Sequence, residues 1–207
     1  MNRPAKSLEW TIWGGLFVVM AAIFVAFALS QFRAKPLPVF NALPDFTLTD
    51  QNGKAVSLAS LRGSVWVTDV IFTRCPGQCL RMSENMKQLR TGLPDGVKLV
   101  SVTTDPNFDT PAIFKKYAEH LGVDDGRWIF LTGEKPAIKK LVFDGLKLNS
   151  VEKKSDEQEN PNDLFVHSTK FVLIDQRGQV RGWFEGETGE SNPELLAAIK
   201  NLLREKN

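Results

Sequence analysis

The sequence predicts an α/β domain with an N-terminal β-hairpin, preceded by one transmembrane helix. From residue 65 onward, apolar runs of strand length alternate with amphipathic stretches of helix length, as in a sheet covered by helices. The N-terminal part contains a long uncharged segment, and the only two cysteines lie at a predicted strand-to-helix junction. The 207 residues, 43% hydrophobic and 24% charged, suffice for one ordinary domain and an appendage.

The appendage is the N-terminal segment. Residues 10–32 form a run of 23 positions without a charge, which is long enough to cross a bilayer as a helix. Trp10 and Trp13 lie at one end of this run, and tryptophan is common at membrane interfaces. The alternative is a cleaved signal peptide, because residues 28–30 resemble a processing site, but the apolar core of such signals is only about 7–15 residues long. We therefore predict a short tail over residues 1–9 and a transmembrane helix over residues 10–32.

The rest of the chain is predicted to lie outside the cytoplasm, on the periplasmic side of a bacterial inner membrane. No second hydrophobic span follows the first, and two cysteines in one motif indicate redox or metal chemistry. Residues 33–44 contain Pro36 and Pro38 and are expected to form an extended tether before a domain over residues 45–207. The net charge of +2, with no basic stripe, argues against nucleic acid as a partner.

Each element of the domain has its own signal. Residues 46–49 and 55–58, joined through Asp-Gln-Asn-Gly, predict the hairpin. Composition predicts strands over residues 65–72, 97–102, 128–131 and 179–184, and a turn leading into a strand over residues 164–174. Amphipathic periodicity predicts helices over residues 80–93, 111–121, 135–143 and 193–205. Residues 150–163 are polar without periodicity, which indicates a solvated loop or a hairpin insert.

The cysteine motif, Thr73 to Cys79, directly follows the strand 65–72. Pro76 suits the first position of a helix, because its backbone angle is fixed and it has no amide proton to leave unpaired. Cys75 is then expected near the N-cap, where backbone amides and the helix dipole favour the thiolate. We therefore expect Cys75 to be the more acidic and more reactive sulfur.

The spacing of Cys75 and Cys79 permits two chemistries. Residues four apart lie on one face of a helix with Cβ atoms roughly 5–6 Å apart, whereas a disulfide needs about 3.5–4.5 Å. The pair can therefore clamp one soft metal ion, or form a redox-active disulfide if the turn tightens. A purely stabilising disulfide is less favoured, because so small a loop removes little entropy from the unfolded chain.

Two acidic residues follow the strand 97–102. Asp105 and Asp109 lie in a predicted strand-to-helix loop, and Thr110 can cap the helix that starts at Pro111. In a parallel sheet such loops line the same edge as the cysteine loop, which makes these carboxylates candidate neighbours of the site. The spacing equally allows that they only cap and shape the turn.

The chain has two histidines, and one of them suits a site. His120 ends the helix from Pro111, where an imidazole interacts well with the helix dipole, so we interpret it as structural. His167 lies at the entrance to a strand that, in a thioredoxin-like arrangement, faces the start of the cysteine helix. Cys75, Cys79 and His167 form a soft set of three ligands that suits Cu(I) and tolerates Cu(II). Zinc is the rival, but a structural zinc site normally needs four protein ligands.

Several motifs of the chain, in order, resemble the Sco/SenC family, whose members are membrane-tethered copper chaperones with a thioredoxin fold. The resemblance extends over about residues 45–203 and is carried by residues 72–79, 105–111, 128–133 and 167–178. It implies copper bound by Cys75, Cys79 and His167. It also implies delivery of copper to, or thiol reduction of, the binuclear copper centre of cytochrome c oxidase subunit II. By the same resemblance, Asp105 and Asp109 form an acidic loop that shapes the site or the partner surface.

Two other functions share this fold. A thiol-disulfide reductase without obligatory metal would use Cys75 and Cys79 as a redox pair, with His167 tuning the thiolate. A peroxiredoxin-like peroxidase needs threonine three residues before the reactive cysteine, where this chain has Phe72. We therefore predict a copper-binding assembly factor rather than an ordinary enzyme, with thiol-disulfide oxidoreductase activity as the alternative.

Overall fold

The computed structural model describes residues 6–31, 36–75, 77–154, 156–158 and 164–205. Within these ranges, the side chains of residues 6–9, 26–31, 166 and 167 are not described. The chain forms two compact units, Met1–Pro36 and Leu37–Asn207.

The first unit contains helix α1, Lys6–Gln31. The side chains described in it, from Trp10 to Val25, are all exposed. The predicted span ends at Phe32, which lies outside the described residues, as does the beginning of the predicted tail. In the described part of the chain, no helix combines the length and the hydropathy needed to cross a membrane.

The second unit is built on one mixed sheet. Eight strands of the described chain form it: β1 (Asn41–Ala42), β2 (Thr47–Asp50), β3 (Ala55–Ser57), β4 (Trp66–Ile71), β5 (Lys98–Thr103), β6 (Trp128–Thr132), β9 (Lys170–Ile174) and β10 (Gln179–Glu185). Their spatial order is β1-β10-β9-β4-β5-β6-β2-β3, with β4, β5 and β6 parallel and the remaining pairs antiparallel. Two further strands, β7 (Ser150–Glu152) and β8 (Phe165–His167), pair with each other.

Helices cover both faces of this sheet. The first face carries α3 (Gln78–Thr91), α4 (Pro111–Leu121) and α6 (Asn192–Arg204). The second face carries α2 (Leu58–Leu61) and α5 (Lys135–Lys139) with its π-helical continuation Lys140–Gly145. Alternation along β4 builds both cores, since Val67 and Ile71 face the first and Trp66 and Val70 face the second. A strand buried on both faces explains why this stretch of sequence is almost continuously apolar.

The α/β prediction is confirmed, and the predicted strands and helices of the domain are present with ends shifted by one or two residues. The hairpin is β2 paired with β3. The polar insert contributes β7 to a short hairpin with β8. Residues 164–174, predicted as a turn leading into a strand, form two strands, β8 and β9, which Ser168 and Thr169 separate. The backbone N–H of Ser168 donates to the carbonyl of Asn149.

The predicted tether over residues 33–44 was too long. Residues 33–35 lie outside the described residues, but from Leu37 onward the chain belongs to the second unit. Leu37 packs against the first core, and Asn41–Ala42 pairs with β10. The domain therefore begins near residue 37 rather than at residue 45.

Arg181 is the physical reason for this earlier start. The residue is only 8% exposed, and its guanidinium donates to the backbone carbonyls of Leu37 at 2.6 Å and of Pro38 at 3.1 Å. The same group pairs with Asp175 at 2.8 Å and with Glu205 at 2.6 Å. One buried cation on β10 thus fastens the first residues of the domain to the end of α6.

Candidate metal centre

The two cysteines lie where β4 gives way to α3. The strand ends at Ile71, and the helix begins at Gln78 with Gly77 as its N-cap. Cys75 is half-buried in the connecting loop, whereas Cys79, in the first turn of α3, is only 1% exposed. Both residues are thiols. The pair therefore lies at the carboxyl edge of the parallel strands, where α/β folds commonly present ligands.

Cys75 lies two residues before Gly77, the N-cap of α3, and so is near the start of the helix, as expected. Pro76, predicted as the first helical residue, lies outside the described residues. Gly77 has φ −158° and ψ −63°, which is not helical, and the helix therefore starts only after it. An amide of the first turn still reaches the sulfur, because the backbone N–H of Cys79 donates to Cys75 Sγ at 3.3 Å.

The two sulfurs are electrostatically coupled. Burial raises the pKa of the Cys79 thiol, and the hydrogen bond to Cys75 and the charge of Cys75 raise it further. The backbone N–H of Phe72 donates to Cys79 Sγ at 3.5 Å and acts in the opposite direction, but its effect is smaller. Burial and the neighbouring sulfur therefore favour the protonated form of Cys79, unless a metal ion replaces that proton.

Asp109 ties the loop after β5 to the cysteine loop. Its side chain is fully buried and accepts hydrogen bonds from the backbone N–H of Thr73 at 3.2 Å, from the Thr73 hydroxyl, and from the Thr103 hydroxyl at 2.6 Å. Burial raises the pKa of Asp109, although these hydrogen bonds lower it. The carboxylate holds a residue that lies two positions before Cys75.

Asp105 holds the next residue of the same loop. Its carboxylate pairs with Arg74, whose guanidinium carbon also lies 4.2 Å from the centre of the Phe108 ring. The backbone N–H of Asp105 donates to the Thr103 hydroxyl at 2.8 Å. The structure thus brings both predicted acidic residues to the cysteine loop. The partners through which they act were not predicted, although Arg74 directly precedes Cys75 in the sequence.

Strand β8 lies against the same loop. The rings of Phe165 and Phe72 meet edge to face, with centroids 5.2 Å apart and an interplanar angle of 64°. Phe165 and Cys75 both pack against the core cluster that contains Cys79. The strand that ends at His167 is therefore anchored beside the cysteines.

The histidines differ in position. The backbone of His167 pairs with that of Ser150, but its side chain lies outside what the structure describes. His120 is exposed in the last turn of α4. Among the described side chains, no group of three His, Cys, Asp or Glu residues is placed to hold a metal ion.

A second loop, after β10, contacts the start of α3. The Glu187 carboxylate accepts a hydrogen bond from the side-chain amide of Gln78 at 3.0 Å and forms an ion pair with Arg81, whose Nε lies 3.1 Å away. Asn85 donates to the carbonyl oxygens of Gly186 at 2.9 Å and of Glu187 at 2.6 Å. No sequence signal pointed to these contacts, because they join residues more than 100 positions apart.

The donor set fits a soft metal ion. Two sulfur atoms, the half-buried one of Cys75 and the buried one of Cys79, lie where the cysteine loop joins α3. This loop is hydrogen-bonded on one side to the acidic loop and packs on the other against β8. Thiolates select Cu(I) among the common metals of proteins. The same two sulfurs can also exchange with a disulfide.

Comparisons with known proteins agree with the fold and the motif. Residues 36–204 match the family model SCO1/SenC. The chain is 30% identical over 168 residues to the SCO1 protein homolog of Bacillus subtilis, covering 79% of this chain and 84% of that protein.

Solved structures show the same likeness. The chain is similar to BsSco, a member of the Sco family of cytochrome c oxidase assembly proteins in which a disulfide switch was identified. The two are 29% identical with a TM-score of 0.71, and the match covers 84% of this chain and 99% of that one. It is also similar to copper-bound ScoI of Bradyrhizobium japonicum, with 25% identity, a TM-score of 0.62, and coverage of 78% and 99%. These likenesses confirm the predicted thioredoxin-like fold.

Proposed function

The chain belongs to the SCO1/SenC family, and on that basis we propose that it is a copper-binding chaperone for the binuclear copper centre of cytochrome c oxidase. The observation that carries this proposal is the pair of soft donors at one loop, with Cys79 N–H bonded to Cys75 Sγ. The copper-bound relative and the assembly role of BsSco support it.

The proposed ligands are Cys75, Cys79 and His167. The two cysteines supply thiolates, which favour copper over harder ions. The edge-to-face contact of Phe165 with Phe72 supports a place for His167 beside them, because Phe165 lies on the same short strand. Zinc fits less well, since a structural zinc site would need a fourth protein ligand.

The protein's own residues have distinct tasks in this proposal. Cys75 is the half-buried sulfur, which copper can reach first and leave last. Cys79 is buried and gives up its proton when it binds the ion. Asp109 and Asp105 hold Thr73 and Arg74, so the loop does not need to order itself each time copper enters or leaves.

Anaerobic titration of the reduced full-length protein tests this function. We expect one tightly bound copper per chain and, with Cu(II), a thiolate-to-copper charge-transfer band. Cys75→Ser and Cys79→Ser should abolish the band, and His167→Ala should weaken binding and shift the spectrum, whereas His120→Ala should match wild type. If wild type did not bind stoichiometric copper, the proposed function would be wrong. If His167→Ala bound copper with the same affinity and spectrum as His120→Ala, the proposed ligand set would be wrong.

We further propose that residues 10–32 anchor the protein in a membrane as a single span, with the copper-binding domain on the periplasmic side. The uncharged sequence of this segment supports the anchor. By family membership, the proposed partner is cytochrome c oxidase subunit II. Carbonate extraction of membranes tests the anchor, and appearance of the protein in the soluble fraction would contradict it.

A thiol-disulfide reductase is the second candidate. The hydrogen bond between Cys75 and Cys79 supports it, and so does the disulfide switch identified in BsSco. Metal-free reduced protein would then reduce the oxidised cysteine pair of a subunit II domain and become a disulfide itself. Copper binding too weak to measure, together with efficient reduction of that pair, would favour this function over the first.

A further inference from the structure

The loop after β10, residues 186–190, joins two elements that carry proposed copper ligands. We call it the latch loop. On one side, Glu187 holds Gln78 and Arg81, which flank Cys79 in the first turns of α3. On the other side, the backbone N–H of Gly186 donates to the carbonyl of Thr169 at 2.8 Å. Thr169 lies two residues after the proposed ligand His167.

The latch loop is itself fixed in place. The Glu185 carboxylate accepts the backbone N–H groups of Gly186 at 3.1 Å and of Glu187 at 3.2 Å, and it pairs with Lys170 at 2.7 Å. A Cβ at Gly186 would lie 2.7 Å from the Thr169 carbonyl and 2.8 Å from the Phe171 ring, so no larger residue fits. The latch loop therefore holds Glu187 in a fixed position against α3.

Helix α3 depends on contacts from outside the helix, because its own N-terminus is weakly capped. The N-cap Gly77 makes no side-chain capping bond, and no acidic residue lies in the first turn. A carboxylate near a helix N-terminus interacts favourably with the helix dipole. Glu187 supplies this negative charge from a distant part of the chain.

We propose that Glu187 is a positioning residue for the copper ligands. By holding Gln78 and Arg81, it sets the orientation of the first turn of α3, and with it the place of Cys79 relative to Cys75 and to the segment that carries His167. This inference rests on the proposed copper function for one of its two readouts.

The test compares Glu187→Gln with Glu190→Gln in the full-length protein. Both variants remove one charge from the latch loop, but Glu190 is exposed and its carboxylate has no hydrogen bond to α3 among those described. We expect Glu187→Gln to shift the thiolate-to-Cu(II) band and its electron paramagnetic resonance parameters, and to lower Cu(I) affinity about tenfold, as supporting residues around metal sites commonly do. Glu190→Gln should match wild type.

A second readout needs no metal. Two thiols of the reduced protein and one oxidised glutathione exchange to give the Cys75–Cys79 disulfide and two reduced glutathiones. We expect the equilibrium constant of this exchange to change in Glu187→Gln and not in Glu190→Gln, because it depends on how the two sulfurs are held. This measurement decides the role of Glu187 even if wild type binds no copper, in which case only the proposed function fails.

A further variant guards against loss of folding. Arg81→Met removes the other half of the ion pair and leaves the bonds of the latch loop to Asn85 and Glu185 in place. It should reproduce the spectral and thiol effects in a milder form, since Gln78 still holds Glu187. If Glu187→Gln and Arg81→Met changed only the melting temperature, with spectrum, affinity and thiol exchange as in wild type, the inference would be overturned.

Discussion

Asp109 accepts a hydrogen bond from the backbone N–H of Thr73, and this contact joins the loops that follow the two central parallel strands. A third residue, Thr103, donates to the same buried carboxylate from the end of β5. The cysteine loop is therefore not held by its own residues alone, and its shape depends on a side chain 36 positions away.

Asp109→Asn should destabilise the domain, because the amide cannot accept all of these hydrogen bonds. We expect the free energy of unfolding to fall by about 1–3 kcal/mol. Urea denaturation measures it, with Asp95→Asn, an exposed aspartate, as the control. A loss no larger than that of the control would show that the contact contributes nothing.

The effect of the same variant should also depend on pH, in the direction set by the raised pKa of Asp109. Because burial raises the pKa of Asp109 above 3.8, its contribution to stability is fully present below that pH and is lost as the pH rises through the folded-state pKa. The difference in unfolding free energy between wild type and Asp109→Asn should therefore be larger at about pH 4 than at pH 7. A difference that grew toward neutral pH would contradict the direction of the shift.

Cys75 should react with alkylating agents much faster than Cys79. The pKa of Cys79 is raised by burial, and its side chain is only 1% exposed. With iodoacetamide at pH 8, Cys79→Ser, which leaves Cys75, should be modified at least about tenfold faster than Cys75→Ser. Mass spectrometry gives both rates. Equal rates would mean that the two sulfurs are equally accessible and equally ionised.

Ser101→Ala should weaken the centre of the sheet. The Ser101 hydroxyl donates to Asp69 at 2.6 Å and accepts from the indole N–H of Trp128 at 3.0 Å, and all three residues are fully buried. Removing a hydroxyl that serves two buried groups should cost about 1–3 kcal/mol of unfolding free energy. Ser191→Ala is the matched control, because the Ser191 side chain makes no capping bond at the start of α6. Indistinguishable denaturation midpoints would argue against a role for this network.

Arg181→Met should be among the most destabilising single changes in the domain. It leaves Asp175 and Glu205 without their buried cation, which typically costs about 3–5 kcal/mol. Thermal unfolding should show a large decrease in melting temperature, whereas Arg177→Met, at an exposed position in the turn between β9 and β10, should unfold like wild type. Limited proteolysis near residue 37 should also become faster in Arg181→Met only.

The sequence predicts best those features of the structure that depend on residues close to each other in the chain. The apolar run from Trp66 to Ile71 indicates a strand buried on both faces, and Thr110 before Pro111 marks a helix start; the Thr110 hydroxyl accepts from the Ile113 N–H. Asp105 and Asp109 were candidates because strand-to-helix loops share one edge of a parallel sheet.

The rest depends on contacts that no local pattern encodes. Leu37 joins the domain because Arg181, 144 positions later, binds its carbonyl. Glu187 reaches Gln78 across 109 positions. Gly77 stays outside α3 because its backbone, with φ −158° and ψ −63°, is not helical, and the preceding proline did not reveal this.

Arg181 also determines how the domain bears mechanical load. Its guanidinium binds the carbonyls of Leu37 and Pro38 and also pairs with Glu205. A force applied to the residues before position 37 is therefore distributed over both β10 and the end of α6. A force on the preceding segment therefore does not act first on the two-residue edge strand β1, which does not have to separate from the sheet one residue at a time.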